Sequence, residues 1–170
     1  MGEHKVSKLM FHQPLQTSFE ISSIEDTARA FVHAIQKKTD LSKKTYNLGG
    51  GETCRCTYEE FLIRSFEING LGKPNFAAHS FADKNFHCGF YQDGDDLEAI
   101  LHFRNDTLRS FFQKEKEKIS SFQKLVAAIF RVPIKYFLKR KSEPLQAYTT
   151  RDSKAMQHYF NADTNAIQKK

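Results

Sequence analysis

The chain has 170 residues, 39% of them apolar, and a formal net charge of +6. That length suits one domain with a real core, and no run of about 18 apolar residues is present to span a membrane. Cys54, Cys56 and Cys88 are an odd set, which argues against a disulfide framework and makes a reducing cytoplasm the expected compartment.

The opening MGEHKVSKLMFHQP lacks an apolar stretch of signal length. Lys5–Met10 and Ser18–Ile21 read as short strands around the His12-Gln13-Pro14 break. Ser22 and Ser23 can cap the next helix, with Glu25 and Asp26 in its first turn, where carboxylates suit the helix dipole. Ile24, Ala28, Phe31, Val32 and Ile35 recur at steps of three and four, which predicts that the helix buries this face. Lys37-Lys38 closes it, and a polar linker follows. Thr45–Leu48 reads as a buried strand, and Gly49-Gly50-Gly51 turns the chain.

Thr57 and Glu60 form a capping-box pattern for a helix to about Asn69, with Phe61, Leu62, Ser65, Phe66 and Ile68 inward. Gly70 and Gly72 stop it. Asn75–Phe81 and Phe86–Tyr91 are candidate strands. A short helix is expected from Asp93-Gly94-Asp95 to Leu101, and another from Asp106 that carries Leu108, Phe111 and Phe112. Further on, Ile119, Phe122, Leu125, Val126, Ile129 and Phe130 make a helical stripe that Pro133 interrupts. Thr149–Asp152 can cap a last helix through Phe160, and the final ten residues are polar.

The charge is unevenly spread. Lys114–Lys141 holds nine Lys/Arg against two acids, and the rest of the chain holds seventeen against eighteen. A basic segment with an apolar stripe can lie on an anionic membrane or partner surface through Lys135, Lys139, Arg140 and Lys141, or pack its stripe on the domain. Nucleic acid is disfavoured, because the charge is local and no recognition motif is present. No metal site is expected. Cys54-Arg55-Cys56 lacks ligand spacing, His79, His87 and Cys88 are irregular, and Gly94 comes too early for a calcium loop at Asp93–Asp96.

Ile24, Asp26, Ala28 and Ala30, followed by Tyr46-Asn47-Leu48-Gly49-Gly50-Gly51, resemble the start of the C-terminal half of extended short-chain dehydrogenase/reductases, the NAD-dependent epimerase/dehydratase family. Leu71-Gly72-Lys73-Pro74 and Asp95/Asp96 to Leu101-His102-Phe103 continue the likeness loosely, so that it covers roughly residues 5–113. The resemblance implies an α/β fold, here an α+β-like fragment of a few short strands with helices. Residues 1–113 would be a substrate-side domain, 114–160 a basic helical extension and 161–170 a frayed tail.

In such enzymes the cofactor turn and a Tyr-x-x-x-Lys pair lie in a Rossmann half that precedes this segment. Here the glycines lack G-x-G-x-x-G spacing, and none of the six tyrosines has Lys four residues on. The resemblance therefore implies no catalytic residue and no cofactor in this chain, with NAD(P) bound by the parent protein. The implied partners are the missing N-terminal Rossmann half, a sugar-like small molecule and, through the severed face, a second copy of the chain. Gly49, Gly50, Arg55, Lys84 and Arg104 are the candidate substrate-side residues, with Asp26 and Asn47 in structural roles. His79–Lys84 has no Arg where the family often pairs one with pyrophosphate, which leaves a nucleotide-sugar substrate open. The rival reading is a stand-alone binding module, peripheral at the membrane.

Overall fold

Capped amphipathic segments set most of the local structure. The computed structural model describes residues 8–84, 86 and 88–161. In chain order these form a 3-10 turn (Lys8–Phe11), β1 (Ser18–Glu20), α1 (Ile24–Gln36), α2 (Lys38–Leu41), a second 3-10 turn (Glu52–Cys54), β2 (Arg55–Thr57), α3 (Tyr58–Ile68), α4 (Gly94–Leu101), α5 (Leu108–Lys118), α6 (Ser121–Ile129), α7 (Arg131–Lys139), α8 (Glu143–Thr150) and α9 (Ser153–Tyr159). Helix dominates. Among the described residues the one sheet is the antiparallel pair β1–β2, with Phe19 opposite Cys56. No described helix is long and apolar enough to cross a membrane.

The chain folds into two compact units. One is Ser18–Thr57 with Cys88–Lys118, and the other gathers the described residues on either side of those stretches. The units interleave along the sequence, whereas the sequence pattern divides the chain consecutively at residues 113 and 160.

In the unit that holds α3 and α6–α9, the core is aromatic. Phe11, fully buried, meets Phe76 edge-on and Phe81 at a tilt, each with ring centroids 5.2 Å apart. Phe66 and Tyr58 from α3 close the cluster against Phe76 and Phe81. Edge-to-face packing of this kind adds to plain area burial. A second cluster of Ala147, Met156 and Phe160 joins α8 to α9. Ser142 caps α8 by accepting from the Leu145 amide at 3.1 Å, and its hydroxyl donates to the Ser80 carbonyl at 2.6 Å. Asp152 caps α9 through the amides of Lys154 and Ala155.

In the other unit, Ala30 on α1 packs with Leu97, Leu101 and Phe103, and Tyr46 and Leu48 lie against that cluster. Tyr46 and Leu48 explain the first departure from the sequence reading. Residues 45–48 form no ladder and are held by their side chains instead. Asn75–Phe81 is likewise an irregular segment, because Phe76 and Phe81 are both drawn into the Phe11 cluster. The described part of 86–91 is irregular too, and residues 5–7 of the first expected strand lie outside the described residues, with Lys8–Phe11 in a 3-10 turn.

The largest correction concerns α1. Ile24, Phe31, Val32 and Ile35 face solvent, at 82%, 68%, 56% and 80% exposure, while Asp26 and Ala30 are buried. The periodicity is there, but the polar side is the one turned inward. The stripe of α6 is also exposed, and the helix buries no residue. Pro133 does not break a helix. It sits in the first turn of α7, where its missing N–H leaves no bond unmade.

Ser142 is fully buried, whereas the capping box at Ser120 and Gln123 is exposed. Ser142→Ala strips a buried carbonyl and a buried helix end of their partner at once. It should cost about 1–3 kcal/mol in urea unfolding, against about 1 kcal/mol or less for Ser120→Ala; equal losses would show that the Ser80 contact contributes nothing.

Candidate functional site

The site is built around the three glycines and Arg104, all within the unit that contains α1 and α4. Glu20 ends β1 with its side chain only 2% exposed. One carboxylate oxygen accepts from the Gly51 amide at 2.8 Å and the other from Arg55 Nε at 2.8 Å. Arg55 lies over the Phe90 ring, 4.1 Å from its centroid. Gly50 is pressed so close to the Ile21 carbonyl that a Cβ would stand 2.2 Å from its oxygen, and Gly51 has φ of 82° beside the Arg104 guanidinium. Both positions require glycine, one for space and one for backbone conformation.

Arg104 clamps the turn to the start of α4. Its Nε donates to the Gly49 carbonyl at 2.9 Å, one terminal nitrogen donates to the Gly94 carbonyl at 2.7 Å, and the other pairs with the Asp95 carboxylate. That pairing holds the Asp95 carboxyl below the ordinary range. Glu98 fixes the backbone on either side, accepting from the amides of Phe103 and Arg104 at 2.9 and 3.0 Å. Asn47 Nδ2 donates to both oxygens of Asp93 at 3.0 Å, so the approach to the glycine turn is tied to the same helix start.

Asp26 is the buried anchor. Its oxygens accept from the amide of Asn105 at 3.1 Å and of Asp106 at 2.9 Å, and from Arg29 at 2.5 Å. Arg29 also donates to the Phe103 carbonyl at 2.6 Å. His33 reaches the Leu101 carbonyl through Nδ1 at 2.6 Å, so it is half-buried and engaged rather than solvated. These contacts along 101–106 explain why α1 turns its polar side inward. Asp26, Arg29 and His33 find backbone partners on that side, and Ala30 packs there on Leu97, Leu101 and Phe103.

Between the glycine turn and residues 104–107 lies an open cleft of about 360 Å³, lined by Gly50, Gly51, Glu52, Thr53, Asp95, Arg104, Asn105, Asp106 and Thr107. Lys114 Nζ bonds both oxygens of Asp106 at 2.8 Å, and the Ser110 hydroxyl donates to one at 2.9 Å. The Lys114 bond, with help from Ser23 and Ser110, pulls the Asp106 carboxyl down to about 2. Burial pushes the Cys54 thiol up, and it donates to the Asp106 carbonyl, both of which disfavour the thiolate.

Of the candidate residues, Gly50 and Arg104 meet in this cleft, with Gly49 bonded beneath them. Arg55 is committed to Glu20 outside the lining, and Lys84 belongs to the other unit. Asp26 accepts the amides of Asn105 and Asp106, and Asn47 donates to the Asp93 carboxylate. Glu20, Glu98 and Arg29 carry no local signal that singles them out in the sequence. Asp106 is readable as a helix start, but its ion pair eight residues on is not. Lys135 donates to the Lys73 carbonyl at 2.6 Å, and Lys139, Arg140 and Lys141 lie exposed at the end of α7.

The glycine turn does not fit a dinucleotide. It leads into a three-residue 3-10 turn rather than a helix N-terminus, and Glu20 already takes the Gly51 amide. Among the described residues no group of three or more His, Cys, Asp or Glu is placed to hold a metal ion, and His87 lies outside them. Cys54 and Cys56 are buried and Cys88 is exposed. Compared with known proteins, the chain matches no family model, no curated protein and no solved structure.

Asp26→Asn places an amide N–H against donors that need an acceptor. It should destabilise the protein by about 2–4 kcal/mol in urea unfolding, reduced from the cost of a fully buried pair because Arg29 is partly exposed. A loss under about 1 kcal/mol would remove Asp26 from its anchoring role.

Asp106 gives a pH signature. Its carboxyl titrates near 2 in the fold, below roughly 3.9 in an unfolded chain. Its contribution is complete above about pH 5 and is lost as the pH falls through about 4 towards 2. The urea midpoint should fall over that window, and Asp106→Asn should show a shallower fall. Parallel profiles for the two proteins would exclude this carboxylate as the source.

Proposed function

We propose that the chain is the substrate-side portion of an NAD(P)-dependent epimerase/dehydratase-like oxidoreductase, inactive alone. In this reading the α1 face docks on a dinucleotide-binding Rossmann half. The carrying observation is the exposed row Ile24, Ala28, Phe31, Val32 and Ile35. It lies on the same helix whose sequence resembles the family phrase. A helix that pins one side by buried polar bonds and leaves the other apolar and bare is built for two interfaces. The flanking charges, Glu25, Lys37, Lys38 and Asp40, carry both signs, as suits a protein partner rather than a polyanion.

The cleft beneath Arg104 supports the choice of ligand. Its lining offers the hydroxyls of Thr53 and Thr107, the carboxylates of Glu52 and Asp95, and backbone groups. That mixture of donors and acceptors suits a polyhydroxylated, sugar-like molecule. It suits a pyrophosphate poorly, because the Arg104 donors are committed to Gly49, Gly94 and Asp95. This chain's residues bind and orient the substrate, while hydride and proton transfer belong to the other half.

Two measurements on the isolated chain test the reading. Sedimentation and dye binding should show self-association or probe fluorescence that falls in Ile24→Ser/Ile35→Ser, with the remainder due to the exposed side chains of α6 and α7. Titration of an isotope-labelled sample with hexoses should move amide signals of residues 50–53 and 105–107, and NAD should move none. Saturable NAD binding, or a double variant indistinguishable from the parent chain in both assays, would sink the proposal.

A further inference from the structure

We infer that α6 and α7 dock on an anionic lipid surface, with the apolar side chains of both helices entering the headgroup layer. Residues 119–142 contain six cations (Lys124, Arg131, Lys135, Lys139, Arg140 and Lys141) and no carboxylate. The same stretch leaves Phe122, Leu125, Val126, Ile129 and Phe130 exposed around α6, and Val132, Tyr136 and Phe137 exposed on α7. Phe122 is 74% and Val132 71% accessible.

These helices are held from behind. A Cβ at Gly70 would lie 2.6 Å from the Lys124 carbonyl oxygen, so α6 presses its polar backbone side onto the turn after α3. Leu138 is the buried residue of α7, and the Lys135 ammonium is tied to the Lys73 carbonyl. The apolar side chains therefore point outward on a fixed support and are not a loose flap.

The chemistry selects lipid over the alternatives. Apolar side chains set among Lys and Arg with no acid match the pattern of interfacial helices. Tyr136, with the Arg140 guanidinium 6.0 Å from its ring, has the amphipathic character favoured at headgroup depth. A protein partner is normally met by a rim of both signs and by polar groups that fix register; uncharged polar residues in 119–142 are limited to Ser120, Ser121, Gln123, Tyr136 and Ser142. The α1 segment carries charges of both signs, and residues 119–142 carry one sign alone. Each helix has nine residues, so the contact lies in the interface plane and does not cross the bilayer.

The test is co-sedimentation of the full chain with phosphatidylcholine vesicles, with and without phosphatidylserine. Binding should need the anionic lipid and weaken as salt is raised. Lys139→Gln/Arg140→Gln/Lys141→Gln, which leaves the Lys135–Lys73 bond in place, should lower affinity roughly 100-fold, from about fivefold per cation. Phe122→Ser/Leu125→Ser/Phe130→Ser alters only exposed side chains and should lower it at least about tenfold. No binding to either vesicle, or equal binding to both, overturns the proposal. So does loss in the charge variant alone, which is polyanion binding, as does preferential binding of a short RNA or polyglutamate, or a dimer dissolved by the Ser variant. None of these outcomes touches α1 or the cleft, so the reading of the other unit stands or falls separately.

Discussion

One buried carboxylate organises the unit that contains the cleft. Asp26 receives the amides of Asn105 and Asp106 and the guanidinium of Arg29. A charge taken out of water must be matched by fixed donors, and here most of them are backbone. That requirement fixes which way α1 is rotated. Once Asp26, Arg29 and His33 face the 101–106 segment, helical geometry leaves Ile24, Phe31, Val32 and Ile35 outside. The exposed apolar row therefore follows from the same rotation that buries Asp26 and Ala30.

The same logic governs the cleft. Arg104 is the most conspicuous charge in its wall, yet its donors already hold the glycine turn and the α4 start together. An arginine so engaged shapes a site more than it attracts an anion. The glycines in turn are there because Glu20, the Ile21 carbonyl, Cys54 and Arg104 crowd the backbone. A run that suggests phosphate binding when read as letters is, in three dimensions, a tight joint.

Local rules carry far in this sequence. Ser23 before α1, the start of α4 at Gly94, the α5 segment and the Asp152 cap all follow from short-range chemistry, and they stand within a residue or two of where pattern places them. Long-range pairing does not follow in the same way. Periodicity marks Ile24, Phe31 and Ile35 as one face but cannot say whether anything covers it. The aromatic segments at 75–81 and 86–91 have strand-like composition, but their rings are taken up by Phe11 and by Arg55 instead of by a ladder. The helix α8 is absent from the sequence reading, although Ser142-Glu143-Pro144 is a strong start signal. Of the cleft, Gly50 and Arg104 are legible as types; the Glu20 and Asp106 pairings join positions 35 and 8 residues apart and leave no local trace.

The placement of the thiols has its own consequence. Cys54 and Cys56 are enclosed, and Cys88 alone is open to solvent. Maleimide chemistry on the folded protein therefore acts at a single address, in the loop that leads to Phe90 and the Arg55 stack. A fluorophore or spin label attached there leaves the core untouched and reports on the neighbourhood of the glycine joint without any residue having to be replaced.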